Sequence, residues 1–264
     1  MDILDFAVYV APPYVVAAFA FGATYRLLKY IFLWKRGPGP EPRKRGAGSL
    51  VKGLIMTFLN PIIESIRRKP HDFITGLVML HILGVIPLIF LLDQHIAAFA
   101  YWFPPYALLA PLAIPLSFTT SALTVAAPFK PVSEMQWGFV NTIWGPLTVF
   151  LNGDVLAVLA MLGVAYKIGD KIVRRAHGLT HVRIGDFFDL GLLFTILLFG
   201  FMAAHHLPSG DIVTYRTVLG IHIVLAELLV ALLPFTKFWH FVFGFWYGKL
   251  HEWYDLKYKR GVAE

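Results

Sequence analysis

The sequence predicts an all-α integral membrane helical bundle with about five transmembrane helices. Of its 264 residues, 58% are hydrophobic and 15% are charged, and the mean hydropathy is +0.66. A soluble domain usually carries about 25% charged residues, and a soluble core could not bury this much apolar surface. The apolar residues also cluster into stretches long enough to cross a bilayer, which takes about 20 residues. Ordinary soluble enzymes and disordered chains are therefore excluded.

Five apolar stretches are predicted to span the membrane. In chain order they cover residues 6–34, 72–92, 154–170, 187–206 and 215–236. Trp, Tyr and Phe cluster near several of their ends, as interfacial belts do. The whole chain, 1–264, is therefore predicted to be one membrane domain whose main surroundings are a lipid bilayer.

The basic residues predict the orientation of these spans. All but two of the 23 Lys and Arg residues fall on one side of the predicted bundle, the exceptions being Lys130 and Arg216. The positive-inside rule makes the crowded side cytoplasmic, so the N-terminus is expected outside and the C-terminus inside the cell membrane. Because the net charge of +7 follows topology, nucleic acid is not an expected partner.

Three stretches lie outside the predicted spans. Apolar residues recur at helical spacing within 48–66, which predicts a cytoplasmic interfacial helix. Residues 93–153 are apolar but interrupted by prolines, and we expect an external, partly membrane-dipping insertion there. The alternative is that 106–151 contributes two extra spans. The tail, 241–264, interleaves aromatic and basic residues, a pattern that suits either a partner protein or anionic lipid headgroups.

Histidines are the candidate functional residues. Cysteine is absent while histidine occurs ten times, so a redox cofactor would have to be held without thiolates. His71 and His81 flank the second span, and His222 and His240 lie on the fifth and its cytoplasmic extension. Because these spans run in opposite directions, His81 and His222 are both expected toward the outer side, and His71 and His240 toward the inner side. One imidazole from each side of a macrocycle is what axial ligation of haem b requires.

The last span also carries a family resemblance. The run LGIH at 219–222, followed by LPFTKFWH at 233–240, resembles the last transmembrane segment of the respiratory nitrate reductase gamma subunit superfamily. That family also has two histidines ten residues apart on its second segment, as His71 and His81 are here. The superfamily includes the membrane subunit of methanogen heterodisulfide reductase and the M subunit of the Dsr complex. The absence of a lysine at 152–154 favours that branch.

The resemblance implies a di-haem b cytochrome subunit of a respiratory complex. His81 and His222 would bind the outer haem iron, and His71 and His240 the inner one. Electrons would pass between the membrane quinone pool, menaquinone or another quinone, and a cytoplasmic iron–sulfur partner subunit. Quinol oxidation at the outer side of this subunit is the expected direction, although the reverse direction suits the same arrangement.

Four further polar residues are candidates for the quinone pocket. Asp93, Gln94 and His95 follow the second span, and Glu227 lies within the fifth. An intramembrane carboxyl group is costly and therefore a functional candidate, while residues 93–95 also fit a polar helix end that meets water. Two other functions stay open on these residues: a proton-coupled small transporter that uses the histidines and Glu227, and a membrane anchor without cofactor.

Overall fold

The structure is a computed structural model that describes residues 1–36, 55–56, 59, 62–63, 66–116, 143–178 and 182–242. Apart from one isolated bridge, the regular structure within these ranges is helical, which confirms the predicted all-α class. Four helices are long and apolar enough to cross a membrane, at Ile3–Lys29, Pro70–Leu91, Ile184–Ala204 and Ile212–Phe235. They fit a multi-pass membrane protein and coincide with the first, second, fourth and fifth predicted spans.

Helix α1 contains Ile3–Asp5, a π-helical stretch at Phe6–Val10 and the long segment Ala11–Arg36. It begins with a capping box, in which the side chains of Asp2 and Asp5 accept hydrogen bonds from each other's backbone N–H. The π-helical stretch lies directly before a pair of prolines, whose missing N–H groups interrupt the regular helical hydrogen bonds. The helix therefore changes its hydrogen-bonding pattern where the prolines require it.

Helix α2 comprises Pro70–Asp72, a π-helical segment at Phe73–Val85 and Ile86–Leu91. It ends because Leu92 is extended, with φ −60° and ψ 131°. The chain then forms helix α3, Asp93–Trp102, and a 3₁₀ segment at Pro104–Leu112. The proline-rich stretch predicted as an insertion thus begins with short helices, and the part of it at 117–142 lies outside the described residues.

Helix α4, Gly153–Ala176, contains the predicted third span at 154–170 but is not among the four apolar candidates. Its N-cap is Asn152, whose side chain accepts a hydrogen bond from the Val155 N–H. Its later turns are charged, and Lys167 pairs with Asp72 at 2.5 Å while Lys171 pairs with Asp186 at 3.4 Å. These partners on other helices give the lysines a role in packing as well as in charge.

Helix α5 covers Ile184–Ala204 and helix α6 covers Ile212–Leu232. After α6 come 3₁₀ turns at Leu233–Phe235 and Lys237–Phe241, separated by Thr236 in an extended conformation. The eighteen residues from His222 to His240 do not form one continuous α-helix, because α6 ends at Leu232, before Pro234, which cannot donate the next backbone hydrogen bond.

Two further predictions fall largely outside the described residues. Within the predicted interfacial helix at 48–66, the described residues are all helical: Ile55, Met56, Leu59, Ile62, Ile63 and Ile66. Of the predicted tail, 241–264, only the first two residues are described. The membrane-surface and partner-docking roles of these segments stay predictions.

The chain divides into two compact units. The first contains Met1–Pro12 and His71–Glu227, and the second contains Pro13–Pro70 and Leu228–Glu264. In the first unit, α4 packs against the π-helical part of α2 and against α5, around a core that includes Leu88, Leu156 and Ala160. In the second unit, Gly22 lies against the Pro234 and Phe235 side chains, and the Arg26 guanidinium lies 5.6 Å from the centre of the Trp239 ring.

Glycines let α2 and α4 approach closely. A Cβ at Gly163 would lie 2.9 Å from the Thr75 carbonyl oxygen and 3.0 Å from Leu80 Cβ. Small residues at helix interfaces allow this kind of backbone approach in membrane proteins. Gly169, on the same helix, has no described atom within 4 Å of such a Cβ. The two positions therefore form a matched pair for testing the interface.

We expect Gly163→Ala to destabilise the protein by about 1–3 kcal/mol, because the added methyl group forces backbone atoms apart. Gly169→Ala is expected to be neutral or to stabilise by up to about 1 kcal/mol, since alanine favours helix. Thermal unfolding in detergent measures both. Equal midpoints for the two variants would contradict the close contact at Gly163.

The N-terminus is tied to the start of α6 by ion pairs. Arg216 Nε lies 2.5 Å from Asp2 Oδ2, and Arg216 Nη2 lies 2.7 Å from Asp5 Oδ1. Gly220 lies one turn further along α6, where a Cβ would be 2.7 Å from the Leu4 backbone nitrogen. The hydrogen bond from Arg216 lowers the pKa of Asp2 to about 2. Arg216, one of the two basic residues on the sparse side, is thus neutralised locally.

Arg216→Gln is expected to lower the unfolding midpoint by a few degrees at most, because exposed ion pairs contribute little. Since the pKa of Asp2 is lowered, its contribution is present above the ordinary aspartate value near 4 and lost as pH falls towards 2. The difference between wild type and variant should therefore shrink over that interval. Arg216→Lys keeps the charge but not the two-armed geometry, and should fall between them. A difference that grows with acid would contradict this assignment.

Candidate functional site

Two partly buried histidine rings lie close together in nearly parallel planes in the first unit. His95 lies in the first turn of α3, and His222 lies near the middle of α6. Their ring centroids are 6.0 Å apart and their planes differ by 6°. The break at Leu92 brings His95 to this position, because it turns the chain just before α3 begins. Sequence spacing predicted His81 as the neighbour of His222, whereas the ring contact of His222 is made with His95.

Each ring is held by a backbone carbonyl. The Nδ1 of His222 lies 2.9 Å from the Ile196 oxygen, and the Nδ1 of His95 lies 2.5 Å from the Leu88 oxygen. A carbonyl can only accept, so Nδ1 carries the proton in both rings and Nε2 keeps its lone pair. Burial also lowers the pKa of His95, which favours the neutral ring. Neutral imidazoles with an anchored Nδ1–H are the form in which histidine binds metals.

Gly200 on α5 lies against the His222 ring. A Cβ at this position would be 2.8 Å from His222 Cε1 and 3.0 Å from Nδ1. Because Ile196 lies four residues earlier on the same helix, one stretch of α5 supplies both the hydrogen-bond acceptor and the space for the ring. Sequence analysis did not identify Gly200, since nothing local to it signals a histidine on another helix.

The two residues before His95 are also withdrawn from solvent. Asp93 is 7% exposed, and burial raises its pKa to about 7. Its carboxylate accepts a hydrogen bond of 2.7 Å from the Gln94 N–H. The Nε2 of Gln94 is buried without a hydrogen-bond partner among the described residues. Asp93 is therefore buried, whereas Gln94 and His95 are partly buried.

The histidines of the second span occupy different surroundings. His81 Nδ1 donates to the Gly76 carbonyl at 2.6 Å within the π-helical segment of α2. His71 lies at the beginning of α2, is exposed, and its carbonyl accepts a hydrogen bond from Thr75 Oγ1. Beside it, Asp72 pairs with Lys167, whose side chain passes over Gly76.

His240 belongs to the second unit. It lies in the 3₁₀ turn at Lys237–Phe241, where its Nδ1 donates to the Lys237 carbonyl at 2.7 Å. The neighbouring Trp239 is 4% exposed and receives Arg26 over its ring. His240 itself is exposed in this unit.

Glu227, the fourth pocket candidate, lies on α6 five residues after His222. Its Oε2 atom is buried and has no hydrogen-bond partner among the described residues. A carboxyl group in this position is costly unless protonated or paired. The Oε2 atom of Glu227 is therefore free to accept or donate a hydrogen bond within the described part of the chain.

A hydrogen bond that sequence analysis did not predict joins α4 to the end of α5. His205 Nε2 lies 2.7 Å from Asp154 Oδ1, with both side chains about one-quarter exposed. The pair lies close to Leu92, where α2 ends and α3 begins. Gly153, the residue before Asp154, approaches Leu92 so closely that a Cβ on it would be 3.0 Å from Leu92 Cδ1. The two residues are 51 positions apart in the chain, so no sequence spacing indicates their contact.

Comparisons with known proteins add no family assignment: no family model, curated protein or solved structure matches the chain. The described residues contain no group of three or more His, Asp or Glu side chains that could hold a metal ion. Axial haem ligation needs two imidazoles and not a cluster of three. The chemistry available at this site is therefore that of paired neutral histidines in an apolar helical bundle.

Proposed function

We propose that the protein is a membrane-anchored di-haem b cytochrome subunit, which links the quinone pool to a cytoplasmic iron–sulfur partner. The observation that carries this proposal is the environment of His222. The ring is partly buried, its Nδ1 is bound to the Ile196 carbonyl, and its Nε2 can take iron. The spacing of the histidines on the second and fifth spans, and the family resemblance, support the same conclusion.

The residues fit the group in their chemistry. Haem iron in membrane helices is held by neutral imidazoles, and its potential depends on burial and on hydrogen bonds to the ligands. His81, His222 and His240 each have Nδ1 bound to a backbone carbonyl, the hydrogen bond that orients a metal-binding imidazole. Spacing assigns His81 and His222 to an outer haem and His71 and His240 to an inner one.

Polar residues beside His222 suit a quinol. Bound haem would supply one-electron oxidation and reduction. The Gln94 amide can donate to a quinone oxygen, since its Nε2 has no partner among the described residues. Asp93, with its pKa raised to about 7 by burial, can accept a proton near neutral pH. The predicted orientation would place this chemistry toward the outer side and the basic surface toward the partner subunit.

The test is the haem content of the purified full chain. A dithionite-reduced sample should show the visible bands of a b-type cytochrome, and pyridine haemochrome analysis should give about two haems per chain. A colourless preparation, expressed with haem supplied and correctly inserted in the membrane, would overturn the proposal. If such a preparation moved protons in liposomes that contain only this chain, the transporter function would replace it.

A further inference from the structure

We infer that His95 and His222 hold one haem iron between them, with His95 as the second axial ligand of the outer site. This inference rests on the proposed function and changes one residue of the ligand set that spacing assigns. It concerns the second ligand of the iron that His222 would bind, and it does not change the assignment of His71 and His240 to the inner haem. His95 thereby acquires a role different from the quinone-pocket role predicted from sequence.

The distance between the rings matches shared coordination. A metal–nitrogen bond of about 2 Å and about 1 Å from the nitrogen to the ring centre, counted on both sides, give a separation of about 6 Å. The His95 and His222 centroids are 6.0 Å apart. Their planes lie within 6° of parallel, an arrangement that two imidazoles on opposite faces of one macrocycle can adopt.

The hydrogen bonds hold both rings in the ligating tautomer. His95 is anchored on the Leu88 carbonyl of α2, and His222 on the Ile196 carbonyl of α5. The anchors come from different helices, so each ring is positioned independently of the other. With Nδ1 carrying the proton, the neutral form of each ring has its lone pair on Nε2, the nitrogen that can bind a metal.

The position of Leu88 separates His95 from His81. Because His95 is bonded to Leu88, the carbonyl of Leu88 marks the level of the ring pair along α2. His81 lies seven residues earlier, roughly 10 Å along a helix, and its Nδ1 is bonded to Gly76 further away still. The ring that the structure places beside His222 is therefore that of His95, at the start of α3.

Single substitutions in the full chain test this inference, with His222→Ala as the reference that defines the outer haem. We expect His95→Ala to lose the same spectral component as His222→Ala, so that haem per chain falls from about two to about one. His81→Ala should retain that component. Loss of the His222-dependent component in His81→Ala, with its retention in His95→Ala, would overturn the inference and leave the di-haem function intact.

A second variant guards against simple misfolding. His95→Met supplies a thioether that can bind iron, and replacement of an axial histidine by methionine raises the reduction potential. We therefore expect His95→Met to keep the outer haem with a higher midpoint potential, measured by redox titration of the visible bands. An unchanged potential would overturn a ligand role for His95. Absence of haem from the wild-type chain would overturn the proposed function itself, which distinguishes the two failures.

Discussion

Replacement of His222 by alanine is expected to remove one of two haems and to leave the other. His222 is the ligand common to both pairings considered for the outer site, whether its partner is His81 or His95. Its ring is partly buried and contacts α5 and α3, with Nδ1 bonded to Ile196 and the ring plane nearly parallel to that of His95. Alanine removes the nitrogen that would bind the iron.

The measurement is haem per chain together with the reduced-minus-oxidised spectrum and the reduction of the remaining haem by a quinol analogue. Haem content should fall by about half, and quinol-dependent reduction should be lost because the haem nearest the proposed pocket is absent. Substitutions that truncate a metal-site ligand remove the bound group outright. Retention of both haems in His222→Ala would show that this histidine is not a ligand.

His177→Ala is the matched control for that experiment. His177 also donates from Nδ1 to a backbone carbonyl, that of Val173 at 2.7 Å, but it is exposed at the end of α4. It therefore shares the hydrogen bond of His222 without its burial or its facing ring. We expect unchanged haem content and spectrum. A loss equal to that in His222→Ala would mean that haem content reports general instability.

Helix positions were largely predictable because apolar length is a local property of the sequence. Four of the predicted spans correspond to helices that could cross a bilayer. The third span was less well defined, since α4 combines an apolar first half with charges at Lys167 and Lys171 that pair with other helices. Charge on a helix argues against lipid exposure, but the sequence does not show which charges have partners.

The composition of the candidate site was only partly predictable. His222 and His95 were both identified as functional candidates, but in different roles. The turn that brings them together depends on the bonds between Leu91, Asp93 and Ile114, in which Asp93 N–H donates to Ile114 O at 2.9 Å and Ile114 N–H to Leu91 O at 2.7 Å. Such pairing across some twenty residues leaves no periodic pattern, so Asp93–His95 resembled a helix end.

Spacing arguments also depend on helix continuity. The separation of His222 and His240 by eighteen residues implies a shared face only on an unbroken α-helix. Thr236 is extended and the segments on either side of it are 3₁₀ turns, so the rotation between the two histidines is not the ideal value. Likewise, the π-helical segment that contains His81 has a different rotation per residue from an α-helix.

Enlargement of Gly200 is expected to have the second largest effect on the site. A methyl group at this position would lie 2.8 Å from Cε1 of the His222 ring. Because Nδ1 of the ring is bonded to Ile196 on the same helix, movement of the ring away from an added methyl group would strain or break that hydrogen bond. Loss of a hydrogen-bond partner of a metal ligand typically lowers metal affinity by about 10–100-fold, and we expect a loss of haem affinity in this range for Gly200→Ala. Gly200→Leu should abolish the outer haem.

The control for this prediction lies on the same helix. Gly191 has no described atom within 4 Å of an added Cβ, so Gly191→Ala should retain both haems and an unchanged spectrum. Haem titration of the purified variants, followed by the visible bands, gives the affinity, and thermal unfolding in detergent separates haem loss from general destabilisation. Equal haem affinity of Gly200→Ala and Gly191→Ala would contradict the prediction. It would mean that neither the close approach of α5 nor the hydrogen bond to the Ile196 carbonyl positions His222 as a haem ligand.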